Sequence, residues 1–231
     1  SVIAIWLIAL ALSARKDSPN LVPRRLVYVV NRRTIVDQST DVVNELRRRL
    51  RESDSDEIRQ VRRGLQSLAV SGVAADVNSL LAVSTLRGEL ADNGQWRLDP
   101  TRPSIVIGTV DMIGSRLLFQ GYGDGRYFRS HHAGLIGSDT LIIHDESHLS
   151  PAFARLLRSI EDEQAKEPQR IGNAIRVIDL SATAIGDSDP TKTITIEADL
   201  NNALIVDRLN ATKHLRRVTV TKSADETKEI V

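Results

Sequence analysis

Apolar residues along this chain fall into two kinds of run: short runs rich in Val, Ile and Leu, and longer runs with a helical period. Short continuous apolar runs are typical of strands that a parallel sheet buries on both faces. They predict strands at residues 25–30, 80–84, 104–108, 141–143, 174–180 and 193–196. The helical period predicts helices at residues 2–14, 34–51, 54–70, 151–166 and 200–209. This alternation predicts an α/β fold, with a mainly parallel sheet and helices on both faces.

Residues 92–111 show a weaker pattern. Residues 92–103 contain an Asn-Gly pair and two prolines, which indicate a loop. Within that loop, Trp96 either anchors the segment or stacks on a ligand at the surface. Asp111 follows the strand at 104–108, and we expect it to cap a helix there.

Residues 114–137 are rich in glycine and admit two interpretations. One is a mobile surface loop. The other is a contact with single-stranded bases, on which aromatic side chains stack beside arginines. The side chains available for such a contact are Tyr122, Arg126, Tyr127, Phe128 and Arg129.

Composition limits the classes of protein. At 231 residues the chain fits one large domain or two small ones, and a hydrophobic fraction of 41% is enough for a sizeable core. The net charge is +1, but residues 1–70 hold 13 basic against 8 acidic side chains, which permits a phosphate-backbone ligand. Cysteine is absent, which excludes disulfides and cysteine-bound zinc; we expect a cytoplasmic location.

The apolar start of the chain does not predict a membrane segment. The run Val2–Leu12 is shorter than the roughly 20 apolar residues that a bilayer span needs, and it lacks the charged leader of a secretory signal. A buried helix is the better interpretation. Because Ser1 already lies in this run, with no initiator methionine and no cap, we expect the chain to be a fragment that begins just upstream of a helix.

The most informative chemical pattern follows the apolar run at 141–143. Asp145 and Glu146 are adjacent carboxylates, and His148 comes two residues later. Ligands of open α/β sheets bind outside the carboxyl ends of the strands, where these carboxylates are expected to stand. An aspartate there suits the magnesium that bridges the outer phosphates of a nucleoside triphosphate. The following glutamate suits orientation and deprotonation of the attacking water.

The same stretch admits two other interpretations. His144 and His148 are four residues apart, as in a zinc-protease motif, but that motif needs both histidines on one helix with glutamate directly after the first. Here Asp145 follows the first histidine, and Ser150 with Pro151 indicates a helix that starts later. The simplest alternative is a solvated acidic turn that ends a strand.

Polar residues also stand at other predicted strand ends. Arg32 and Arg33 precede a helix N-terminus, where backbone N–H groups also attract phosphates. An ordinary surface pair is the alternative, and we favour contact with a nucleic acid backbone. Thr109 offers a hydroxyl for a nucleic acid phosphate. Ser181 and Thr183 follow the strand at 174–180, where their hydroxyls are placed to hydrogen-bond to the acidic pair and sense a terminal phosphate.

Taken together, these residues resemble the motifs of superfamily-two helicases. Residues 27–33 (VYVVNRR) resemble motif Ia, residues 108–111 (GTVD) the next DNA-contacting motif, residues 145–148 (DESH) motif II and residues 181–183 (SAT) motif III. Longer stretches are more specific: STLRGE at 84–89, GTVDMIGSRLLFQGYG at 108–123 and HAGLIG at 132–137. With them the chain resembles the CRISPR-associated helicase–nuclease of type I systems, particularly the subtype called I-G or I-U.

The resemblance implies a RecA-like lobe that binds ATP and Mg²⁺ and translocates on single-stranded DNA, recruited to invading DNA by an RNA-guided surveillance complex. By motif, Asp145 would coordinate magnesium through water and Glu146 would activate water. The residues that would link hydrolysis to movement are His148, Ser181 and Thr183. The residues that would contact the nucleic acid are Arg32, Arg33, Arg87 and Thr109.

The family's Gly-x-Gly-Lys-Thr phosphate loop would stand directly before Ser1, and its second lobe and nuclease domain have no counterpart in these residues. We therefore expect residues 1–197 to form a first helicase lobe without its phosphate-binding loop, and residues 198–231 to lead toward a second lobe. We also expect this chain alone not to hydrolyse ATP. Two alternatives stay open: another superfamily-two enzyme, such as an RNA helicase or a restriction motor, or a nucleic-acid-binding module with an inactive nucleotide site.

Overall fold

The computed structural model describes residues 2–15, 22–68, 80–86, 94–167, 172–181 and 202–212. The strands are β1 (Arg25–Val30), β2 (Ala82–Leu86), β3 (Ser104–Thr109), β4 (Thr140–Asp145) and β5 (Arg176–Leu180). The helices are α1 (Val2–Arg15), α2 (Arg33–Glu52), α3 (Asp56–Leu68), α4 (Gln95–Leu98), α5 (Val110–Leu117), α6 (Arg126–Ile136), α7 (Pro151–Ala165) and α8 (Ala203–Leu209). The strand predicted at 193–196 lies outside the described residues.

The described strands form one sheet in the order β2-β3-β1-β4-β5, and every neighbouring pair is parallel. The predicted α/β fold with a parallel sheet is thereby confirmed, and it is consistent with a RecA-like architecture. In the register, Val30 stands opposite Thr109 and His144 stands opposite Asp179. Because all strands run the same way, their carboxyl ends meet along one side of the sheet, here named the carboxyl edge.

Helices cover both faces of this sheet, as the continuous apolar strands predict. Successive residues of a strand point to opposite faces, so Leu26 and Val30 join one core and Val27 and Val29 the other. The first core is completed by apolar residues of α1, α2 and α3. The second is completed by Trp96 of α4 and by residues of α5, α6 and α7.

Two helices on the first face approach each other closely. A Cβ atom added at Gly64 of α3 would lie 2.2 Å from the backbone oxygen of Ala11 in α1. That oxygen belongs to the backbone, so it has no flexible end that could move aside. Gly64 interrupts an otherwise regular amphipathic helix because the packing of α1 on α3 leaves no room for a side chain.

A buried arginine fixes α6 against the opposite end of the sheet from the carboxyl edge. Arg25, the first residue of β1, donates hydrogen bonds to the carbonyl oxygen of Leu135 in α6 and, at 3.3 Å, to that of Ser138. Burial lowers the pKa of Arg25 to about 10, and the nearby carboxylate of Asp139 offsets part of that effect. The guanidinium stays charged at neutral pH and holds the end of α6 next to the start of β4.

The segment between β2 and β4 differs from the sequence prediction in three ways. Residues 95–98 form a short helix, and Trp96 is fully buried, so it anchors this segment from within. Most of the glycine-rich stretch is helical, because α6 occupies residues 126–136. Asp111 does not cap α5: Thr109 does, since its hydroxyl accepts a hydrogen bond from the amide of Met112. Thr109 is a better cap because it is the last residue with extended backbone before the helix.

The chain divides into two compact units, up to Ala184 and from Ile185 onward. The sheet belongs to the first. In the second, α8 is capped by Asn202, whose side-chain oxygen accepts from the amide of Leu204 at 3.1 Å. Among the described helices, none has the length and apolar character that crossing a bilayer requires.

Candidate functional site at the carboxyl edge

Two carboxylates stand at the carboxyl end of β4, as the sequence predicts. Asp145 is the last residue of the strand, and Glu146 follows with φ 52° and ψ 45°, in the left-handed region. That conformation costs on the order of 1 kcal/mol for a residue with a Cβ atom. It lets the chain turn at once into a single 3₁₀ turn, Ser147–Leu149. The amide of Glu146 donates to Asp145 Oδ1 at 3.0 Å, which fixes the aspartate against the turn.

Two residues of the neighbouring strand β1 orient this turn. The Tyr28 hydroxyl donates to Asp145 Oδ2 at 2.6 Å. Burial, and next this hydrogen bond to Asp145, raise the pKa of the Tyr28 hydroxyl, so it remains a donor over the accessible pH range. The Asn31 side-chain amide lies 3.4 Å from the carbonyl oxygen of Asp145 and 3.3 Å from that of Glu146, and it donates to both. Neither residue was assigned a role from the sequence. The signal for Tyr28 was a tyrosine among the aliphatic residues at 26–30 of β1.

His148 connects the acidic turn with the end of β5. Its Nδ1 lies 3.0 Å from the hydroxyl of Ser181, the first residue after β5. The same nitrogen lies 3.4 Å from Glu146 Oε2. The structure therefore brings together the predicted residues Glu146, His148 and Ser181, since β4 and β5 are neighbours in the sheet. Thr183 lies outside the described residues.

A second histidine makes a buried connection beneath the first. His144 lies fully buried in β4, with Nδ1 3.1 Å from Asp179 Oδ1 in β5 and Nε2 2.7 Å from the hydroxyl of Ser150. The hydrogen bond from His144 holds the pKa of Asp179 below its ordinary value. Ser150 precedes α7, but its hydroxyl does not cap that helix because it is paired with His144 instead.

This Ser150–His144–Asp179 chain has the order of a serine hydrolase triad, but the position lacks a suitable oxyanion donor. In hydrolases of the α/β type that donor includes the backbone N–H of the residue after the serine. Here the next residue is Pro151, which has no N–H. These hydrogen bonds link β4, β5 and the start of α7. No local pattern in the sequence reveals this link, because the pairing of His144 with Asp179 depends on the register of β4 with β5.

A cavity of about 300 Å³ opens beside the acidic turn. Both carboxylates and Arg32 line it, so it carries charges of both signs. The remaining lining residues are Val30, Asn31, Ile35, His148 and Leu149. Arg32 is exposed, and within the described residues its side chain has no hydrogen bond or ion pair. Arg33 is exposed as the first residue of α2 but does not line the cavity.

The other predicted nucleic acid contacts are not part of this cluster. Thr109 stands at the carboxyl end of β3, on the far side of β1 from β4. Its hydroxyl oxygen is occupied as the cap of α5, but its hydrogen remains available to donate to a phosphate. Arg87 lies outside the described residues.

Asp145 suits one particular way of binding magnesium. In the described part of the chain, no group of three or more His, Asp or Glu side chains is placed to hold a metal by itself. Mg²⁺ is usually bound by one or two carboxylates together with substrate phosphates and waters. Each Asp145 oxygen accepts one hydrogen bond here, which leaves further lone pairs for a metal-bound water. Asp145 therefore fits a site that also needs the phosphates of a nucleotide.

Comparison of the chain with models of protein families, with curated proteins and with solved structures finds no match.

Proposed function

We propose that this chain is the ATP-dependent helicase or translocase lobe of a type I CRISPR antiviral effector that unwinds target DNA for degradation. The observation that carries the proposal is the contact between neighbouring strand ends. Asp145 is the last residue of β4 and Glu146 follows it, Ser181 is the first residue after β5, and His148 lies 3.0 Å from Ser181 and 3.4 Å from Glu146. A solvated acidic turn would need neither this bridge nor the hydrogen bond that Tyr28 donates to Asp145.

Each residue of the edge would have a separate role. Mg²⁺ bound with the ATP phosphates would neutralise the negative charge at the transferred phosphoryl group. Asp145 would hold the metal-bound water in the orientation fixed by Tyr28 and the amide of Glu146. Glu146 would accept the proton of the attacking water, because its carboxylate is half-exposed and it lines the cavity beside the acidic turn. His148 and Ser181 would transmit a displacement of Glu146 to the end of β5.

Arg32 and Arg33 would contact the backbone of single-stranded DNA, with Thr109 as a further phosphate contact. They stand at the ends of β1 and β3, which are neighbours in the sheet. This assigns the nucleic acid to the β1–β3 side of the edge and the nucleotide to the β4–β5 side. An RNA-guided surveillance complex is the partner expected to recruit the protein.

The test is turnover of ATP by the complete protein that contains this lobe, with and without single-stranded DNA. Glu146→Gln should abolish turnover while leaving ATP binding intact, because the amide cannot accept the proton but keeps the shape of the side chain. Glu57→Gln, at an exposed position in the first turn of α3, is the matched control and should have no effect. Unchanged turnover in Glu146→Gln would remove this residue from the mechanism.

The same assay separates the alternatives. Stimulation by RNA and not DNA would favour an RNA helicase, and stimulation by duplex DNA alone would favour a restriction motor. Absence of turnover in the complete protein, with strand binding retained, would favour a binding module with an inactive nucleotide site. For the 231-residue chain alone we predict no DNA-stimulated turnover, and measurable turnover would refute that prediction.

A further inference from the structure

The exposed aromatic side chains of this protein are confined to one short segment. The chain has two Trp, three Tyr and three Phe residues. Trp6, Trp96 and Phe153 are buried, and Tyr28 is half-buried at the carboxyl edge. The remaining four are all exposed, Tyr127 by 93%, and they lie within ten residues of one another. We name them the aromatic patch: Phe119, Tyr122, Tyr127 and Phe128.

The sequence around the patch has more positive than negative side chains. Asp124 is the single acidic residue between Asp111 and Asp139. Its carboxylate is buried and points inward, where it pairs with Arg116 at 3.1 Å and with His132 at 2.8 Å. Arg126 is exposed within the patch, and the guanidinium of Arg97 lies 5.9 Å from the centre of the Phe128 ring. The patch therefore presents aromatic rings and positive charge to solvent, with its one carboxylate withdrawn.

The segment is held in place from beneath. Arg116 lies in α5, and its ion pair with Asp124 at 3.1 Å ties the loop after α5 to that helix. A Cβ atom added at Gly121 would lie 2.0 Å from Asp124 Oδ2, so the loop passes directly over the buried carboxylate. Phe128 stacks on the buried ring of His132, with centroids 5.9 Å apart. Such a support fixes the positions of the rings before any ligand arrives, which lowers the entropy lost on binding.

We propose that the aromatic patch is a stacking platform for single-stranded nucleic acid, separate from the carboxyl edge. Exposed rings next to arginines form the combination that binds successive bases without sequence preference. None of the patch residues lines the cavity beside Asp145, so this is a second contact with the strand. The proposal rests on the proposed function only for the nature of the strand as DNA.

The backbone strain at Phe119 supports a ligand contact for its exposed ring. Phe119 has φ 60°, a left-handed conformation that is uncommon for any residue with a side chain. Its ring is nevertheless 56% exposed, so the strain is not offset by burying the side chain. Glycine would fit this backbone without strain. An exposed ring in that position is better explained by a ligand that covers it.

The experiment measures binding of a fluorescein-labelled oligothymidylate to the 231-residue chain by anisotropy, at several salt concentrations. The triple variant Tyr122→Ala, Tyr127→Ala, Phe128→Ala should weaken binding by at least about tenfold, since the loss of a single stacking contact already contributes about that factor. The conservative exchange Tyr122→Phe, Tyr127→Phe, Phe128→Tyr should retain the affinity, because it keeps the rings.

Arg126→Gln should weaken binding and also reduce the slope of log K against log salt by about 0.7, the value for one phosphate contact on a single strand. The matched control is Arg63→Gln, at an exposed arginine of α3, which should leave the slope unchanged. Each variant is compared with the parent by urea unfolding, so that a loss of binding is assigned to the surface only where the unfolding midpoint is retained.

Two results would overturn the proposal. One is unchanged oligothymidylate affinity in the folded triple alanine variant. The other is a triple alanine variant that keeps its affinity for oligothymidylate but no longer self-associates, which would make the patch a docking surface for protein. Neither result depends on ATP turnover, because the oligothymidylate assay contains no nucleotide. Failure of the patch and failure of the proposed hydrolysis are therefore distinguishable.

Discussion

Replacing Asp124 with asparagine tests the support beneath the aromatic patch. The substitution keeps the size and shape of the side chain but removes its charge. In the structure Asp124 serves two cationic or proton-donating partners, with Oδ1 3.1 Å from Arg116 Nη2 and Oδ2 2.8 Å from His132 Nδ1. The exposed fractions of the three side chains are 5% for Asp124, 3% for Arg116 and 0% for His132. The variant would leave the Arg116 charge buried without a counter-charge.

The size of the effect follows from that burial. Removing one partner of a buried ion pair costs about 3–5 kcal/mol, because the remaining charge is uncompensated. Asparagine still offers one hydrogen-bond acceptor, so we expect the lower end, about 3 kcal/mol. With a urea m-value of about 2 kcal/mol per molar, the unfolding midpoint should fall by about 1.5 M.

The assay is equilibrium urea unfolding followed by far-UV circular dichroism, with the m-value compared between variants. Asp56→Asn is the control, since it breaks the Arg59–Asp56 pair at 2.6 Å, in which the aspartate is 82% exposed. Its midpoint should not change measurably, because water replaces the lost partner. A midpoint shift of Asp124→Asn below about 0.5 M, at an unchanged m-value of about 2 kcal/mol per molar, would refute the reasoning.

Two further predictions concern other parts of the fold. Gly64→Ala should destabilise the protein by about 1–3 kcal/mol, since the new Cβ meets a backbone oxygen of α1, and an unfolding midpoint equal to that of the parent would contradict this. Asp179 has a pKa below its ordinary value, so its contribution to stability is present above the unfolded pKa of about 4 and is lost as pH falls through the folded pKa. The stability difference between parent and Asp179→Asn should therefore be largest near neutral pH and shrink in acid; a difference that stays constant from neutral pH to about pH 3 would show that the carboxylate charge is not its source.

Much of the fold was predictable because strands such as β1, β3 and β4 contain continuous apolar runs. Runs such as Leu26–Val30 have no polar face, so only a sheet covered on both sides can bury them. The prediction of secondary structure failed where the apolar residues of a helix do not show a clear helical period. The helix at 126–136 mixes aromatic, histidine and glycine residues, so its buried positions do not show as an aliphatic stripe. Its core contacts are made by His132, Ala133 and Ile136, and the first of these is polar.

The candidate site was predictable only in part, for a different physical reason. Asp145, Glu146 and His148 are adjacent in sequence, so a motif reveals them together. Tyr28 and Asn31 reach the same turn from another strand, and their roles depend on the parallel pairing of β1 with β4. No local pattern encodes that pairing.

The strand order indicates how the proposed nucleotide and nucleic acid contacts are connected. β1 is central: it pairs with β3, which ends at Thr109, and with β4, which ends at Asp145. Asn31 follows β1 directly and donates to the carbonyl oxygens of both Asp145 and Glu146. A displacement of the acidic turn must therefore either break these hydrogen bonds or move Asn31, which is next to Arg32 in the chain. Because α2 begins immediately afterwards, at Arg33, such a movement would be carried into the helix that presents both arginines. The proposed nucleotide and nucleic acid contacts are thus linked through one side chain, and Asn31 is the place where their coupling would be lost.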